Sequence, residues 1–89
     1  MDLQCIRRQI DVIDKELTLL LEKRMALVRQ VSEYKKEQQK AVADSARETA
    51  VLKSVSERVE DKEFEETIAN IFADIMKHSR AYQTRKIEQ

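Results

Sequence analysis

The sequence contains no glycine, no proline and no tryptophan. Glycine and proline are the usual residues of tight turns and strand bends. Their absence argues for helices joined by short polar loops. Strict alternation of apolar and polar residues is sustained nowhere, so strands are not expected. The predicted class is all-α. No apolar run approaches the ~20 residues of a membrane-spanning helix, and no signal peptide is visible. The single cysteine, Cys5, excludes an internal disulfide and fits a reducing, cytoplasmic compartment. One histidine (His78) and one cysteine make a poor zinc site, and nothing near the N-terminus would activate Cys5 as a nucleophile. An excess of one charge is also missing, since 17 basic residues balance 17 acidic ones. That leaves no global field to attract nucleic acid or an anionic membrane surface. No Ser–His pair, metal cluster, glycine-rich phosphate loop or cofactor fingerprint is present, so neither cofactor nor metal is expected.

What the sequence does have is charge and helical periodicity. Charged residues are 38% and apolar residues 42% of 89, enough for one small domain over residues 1–89 whose single core is marginal. Ile6, Ile10, Ile13, Leu17, Leu20, Leu27, Val28 and Val31 recur at spacings of three and four. On a helical wheel with Ile6 at zero, all fall within about 60° of one line. Nothing breaks this pattern between about Leu3 and about Gln39, a helix of roughly 50 Å, about twice the diameter of a globule this size. Such a helix cannot bury its stripe against the remaining residues, so an intertwined homodimer is expected. A plain coiled coil is the rival explanation. The shorter, differently patterned segments that follow argue against it.

A second helix begins near "DSARE", capped by Asp44 or Ser45, with Ser45 to Glu48 forming a capping-box pattern and Val51, Leu52, Val55 and Val59 as its apolar face. The acidic stretch "EDKEFEE" leads into a third helix, while Arg80, Arg85 and Lys86 suit its other end. The third helix is expected to bury Phe64, Ile68, Ile71, Phe72, Ile75 and Met76.

Polar residues interrupt these faces. Arg24 and Lys35 fall at about 0° and 20°, central to the first stripe, and Arg7 sits on its shoulder at about 100°. Glu48 lies centrally on the second face, and Ser79 and Gln83 continue the third. Each has a bland reading. Long cations can run along apolar surface with their heads in water. Glu48 can close a capping box, and Ser79 can bond the carbonyl four residues back. Together, however, Arg7, Arg24, Lys35 and Arg47 supply permanent donors, Ser79 and Gln83 neutral ones, and Glu48 an acceptor. Buried cations need partners, and one carboxylate in the chain cannot pair them all. An anionic ligand with more than one carboxylate or phosphate is the economical partner. Any chemistry there would proceed by positioning and electrostatics.

"IRRQIDVIDKELTLLLEKRMALVRQVSEYK", "VADSARETAVL" and "IFADIMKHSRAYQ", in this order, resemble the all-helical class of chorismate mutases from about Ile6 to Gln83. The resemblance implies a domain-swapped homodimer of three-helix protomers that rearranges chorismate, a dicarboxylate, to prephenate on the route to phenylalanine and tyrosine. It also implies roles. Arg7 would reach a substrate carboxylate across chains, Arg24 would hold a carboxylate within its own chain, and Arg47 would add positive charge. Lys35 and Gln83 would be the catalytic donors to the ether oxygen. Glu48, with the Asp44 backbone, would hold the ring hydroxyl, and Ser79 would meet the ring carboxylate. One departure is Ala41, where the family often has a proline. Two rivals are an isochorismate-pyruvate lyase of the same fold and a non-catalytic helical dimerisation module. The first tends to apolar or aromatic residues where Glu48 and Ser79 stand, and the second leaves Arg24, Lys35, Glu48 and Gln83 without a purpose.

Overall fold

A computed structural model of the chain describes residues 1–89. It consists of three helices, α1 (Leu3–Glu37), α2 (Ser45–Arg58) and α3 (Glu65–Ile87), with a single 3₁₀ turn at Lys62–Phe64 before α3 and no strands. The 35 residues of α1 span about 52 Å, which sets the long dimension of a chain measuring 54 × 25 × 15 Å. Its radius of gyration is 16.1 Å, against about 12 Å for a compact chain of this length. No helix is long and apolar enough to cross a membrane.

Local chemistry fixes the helix ends. Asp2 caps α1 through its side chain, which accepts from the Gln4 N–H at 3.0 Å. No breaking residue appears before about Gln39, but α1 stops two residues sooner. With no glycine available, Gln39 itself takes the left-handed conformation (φ 54°) that reverses the chain, and the Lys40 N–H closes on the Lys35 carbonyl at 2.8 Å. Of the two capping candidates for α2, Asp44 serves, its Oδ1 accepting from the Arg47 N–H at 3.0 Å. The α2–α3 connection is tied by Lys62, whose Nζ donates to the Ser56 carbonyl at 2.8 Å, and by the Asp61 carboxylate, which caps the 3₁₀ turn. Glu65 and Glu66 begin α3, and Arg85 and Lys86 lie in its last turn, each sign facing the helix end it favours. Arg80 lies almost two turns before that end and has a different role.

Helix α3 packs against both α1 and α2. Near its C-terminal end the Arg29 guanidinium donates to the Tyr82 hydroxyl at 3.4 Å, a bond that raises the arginine above its ordinary pKa. The apolar interior of one chain is very small. Only Val55 and Met76 are buried hydrophobic residues, beside the buried polar Ser32, Ser79 and Gln83. Phe64 and Ile71, expected inside, are exposed, because no element of the same chain stands opposite them. The N-terminal half of α1 is barer still: Ile10, Ile13, Leu17 and Leu20 are 47 to 60% exposed. The stripe that the periodicity marks out is real, and one chain covers only part of it.

Candidate active site

Where the C-terminal half of α1, the start of α2 and the C-terminal half of α3 converge, they line a cavity of about 450 Å³ that is open to solvent on one side. That volume lies within the range of small-molecule sites. Its apolar wall includes Leu27, Val28, Val31, Val51 and Met76. Into it project Arg24 and Lys35 from α1, Asp44, Arg47 and Glu48 from the start of α2, and Ser79, Arg80 and Gln83 from α3. Seven of the eight residues singled out in the sequence therefore line one cavity. The eighth, Arg7, lies on the exposed part of α1, about 26 Å along the helix from Arg24, outside the cavity of its own chain.

Lys35 is the best-anchored cation. Its Nζ donates to the Val42 carbonyl at 2.8 Å, tying the α1–α2 loop to the helix, and to Gln83 Oε1 at 2.9 Å. An ammonium carries three donors, so one remains for the cavity. Because Gln83 spends its oxygen on Lys35, its amide N–H groups also remain as donors beside that ammonium. The pair thus presents converging donors without any competing carboxylate. Gln83 is buried, so this arrangement is held within the fold rather than on its frayed end.

Arg24 Nη1 donates to Ser79 Oγ at 3.0 Å, and Ser79 Oγ donates to the Ile75 carbonyl at 2.8 Å. The serine therefore follows the bland reading, bonding one turn back along its helix, and also steadies Arg24. Glu48 departs from its bland reading. With Asp44 as the cap, Glu48 is not the closing member of a capping box; its Oε1 accepts from Arg80 Nη1. Asp44 gives its carboxylate to the cap and its carbonyl to the Glu48 N–H at 3.0 Å, leaving its own N–H as the backbone group free at the cavity edge.

Arg80 is the cavity residue that sequence reasoning missed. Its wheel position, about 100° from Ser79, places it beside the face rather than on it. The available signal was its spacing of four from Met76, which is buried. A long side chain on a helix leans toward the N-terminus, so a shoulder residue can still reach a neighbouring helix.

Four cations (Arg24, Lys35, Arg47 and Arg80) and two carboxylates (Asp44 and Glu48) line the cavity, an excess of two positive charges. Of the four, only Arg80 forms an ion pair within the chain. His78 and Cys5 lie outside the cavity, and no three His, Cys, Asp or Glu side chains cluster as metal ligands would. The lining is suited to binding and orienting a dianion, and to stabilising negative charge that develops beside Lys35 and Gln83.

No curated protein and no solved structure matches the sequence. Residues 6–84, nearly the whole chain, match the family described as chorismate mutase type II, and the chain therefore belongs to that family of isomerases.

Proposed function

We propose that the cavity among the three helices is where this chorismate mutase binds and rearranges chorismate, with Lys35 and Gln83 as the catalytic donors. The observation that carries this reading is the pairing of those two residues: an ammonium and a carboxamide, bonded to each other at 2.9 Å, both with donors to spare. The rearrangement breaks a carbon–oxygen bond and forms a carbon–carbon bond within one molecule. No proton is transferred and no co-reactant is consumed. Negative charge grows on the ether oxygen as the bond to it lengthens, so fixed donors aimed at that oxygen favour the transition state over the ground state. An active site for this reaction needs no general base.

The other residues hold the substrate in its reactive shape. Arg24, steadied by Ser79, binds one carboxylate, and Arg47 adds positive charge at the first turn of α2. Glu48 and the Asp44 N–H take the ring hydroxyl. Ser79 can meet the ring carboxylate once its hydroxyl turns from the Ile75 carbonyl. Arg7 completes the site from a second copy of the chain, in an intertwined homodimer. The uncovered stripe on α1 and the two-residue apolar interior support that assembly, because so small a core does not sustain a stable domain alone.

Supplying the protein with chorismate and, separately, isochorismate tests the reading. Prephenate from chorismate is the expected product. Salicylate with pyruvate from isochorismate alone would assign the cavity to the lyase reaction, and no turnover of either would leave a non-catalytic helical module.

A further inference from the structure

We propose that Arg80 is a positioning residue of this site, the counter-ion that lets the Glu48 carboxylate share the cavity with a dianionic substrate. The proposal rests on the chorismate reading of the cavity. Arg80 reaches from α3 to α2, where its Nη1 bonds Glu48 Oε1, and both side chains line the cavity. Their side chains are 38% and 26% exposed, so the pair sits at the rim, partly shielded from water. A charge pair there counts for more than one on open surface.

The need for a counter-ion follows from the chemistry of the lining. A bare carboxylate is a poor neighbour for a ligand carrying two carboxylates. Asp44 avoids the conflict by spending its carboxylate on the start of α2. Glu48 has no such duty. On α1, Arg24 is bonded to Ser79 and Lys35 to Val42 and Gln83; on α2, Arg47 makes no ion pair. Arg80 is thus the one cation bonded to Glu48. A carboxylate has two oxygens, and Arg80 occupies one of them. The other is left to accept a hydroxyl proton from the substrate. Arg80 therefore cancels a repulsive charge and selects which oxygen of Glu48 serves the ligand.

A double-mutant cycle tests this. Arg80→Met keeps the apolar stem without the charge, with Arg80→Gln as a second neutral variant should the first fold poorly. Arg80→Lys returns the charge, and Glu48→Gln removes the carboxylate charge while keeping an acceptor oxygen. Arg80→Met should raise KM about ten-fold, the scale of one partly shielded charge pair, and affect kcat less. Arg80→Lys should recover most of the loss. In the Glu48→Gln background, removing Arg80 should change KM less than about two-fold, since no charge remains to be neutralised. Should Glu48→Gln turn over too slowly to follow, calorimetric titration with prephenate reads the same cycle. Equal losses in both backgrounds, or no change of KM in Arg80→Met, would overturn the proposal and leave the mutase reading standing. A wild-type chain inactive on chorismate would overturn that reading and this proposal with it.

Discussion

Arg24 and Lys35 are held in the cavity by neutral partners, which keeps their charge available. Lys35 bonds a backbone carbonyl and a carboxamide, never a carboxylate, so its positive charge is fixed in place without being cancelled. Lys35→Ala removes one preorganised donor and should lower kcat at least about 10²-fold. Steady-state kinetics checks this, with a circular-dichroism melt confirming that the variant is folded; a near-normal rate would exclude Lys35 from the chemistry. Gln83 contributes a donor that does not titrate, so Gln83→Glu should work only where the new carboxyl is protonated and can still donate. Its activity should fall as pH rises through that titration, and a flat profile from acid to mildly alkaline pH would contradict the role. Why some of these residues were legible in the sequence and others were not is a matter of angle. Arg24, Lys35, Glu48, Ser79 and Gln83 stand where the helical period demands an apolar residue, so each announces itself. Arg80 stands off the stripe, where a cation looks like ordinary surface, and only the fold brings it against Glu48.

The helices themselves were legible because each carries a sustained period, and so were the starts of α1 and α2, but the C-terminal end of α1 was not, because this chain turns without the usual residues. Gln39 is the clearest case. A left-handed residue after a helix is ordinarily glycine, and a side chain there costs roughly 1–2 kcal/mol. Gln38 and Gln39 are ordinary helix formers, so nothing in the sequence marks the reversal. Gln39→Gly should relieve the strain. After the entropy that glycine adds to the unfolded chain, the net gain should be about 0.5–1 kcal/mol, visible as a higher urea midpoint at unchanged slope. Because Lys35 also ties this loop through Val42, the variant should leave the catalytic donors in place. A lower midpoint would show that the reversal depends on the glutamine side chain. Phe64 and Ile71 fail in the opposite direction. Their period correctly marks an apolar face, but the period cannot say whether the covering surface belongs to the same chain.

At the scale of the whole molecule, that same question concerns α1. A helix of 35 residues in a chain of 89 extends far beyond what two shorter helices can cover, and its N-terminal half carries both the bare stripe and Arg7. If a second copy covers the stripe, Arg7 of each chain serves the other chain's cavity while Lys35 serves its own. The two residues of one working site then lie on different chains. Arg7→Ala and Lys35→Ala should each be nearly inactive alone. A heterodimer of the two has one site carrying both lesions and one carrying neither. Mixing equal amounts, then unfolding and refolding together, should make about half the dimers mixed and restore about a quarter of wild-type sites, as two-fold isologous pairing requires. Mass spectrometry would count the heterodimers and a chorismate assay the restored activity. A monomer, or a dimer whose sites are each built from one chain, would recover nothing. Heterodimers formed without recovered activity would therefore rule out the exchange of Arg7 between chains, while the cavity of the single chain, and its chemistry, would stand.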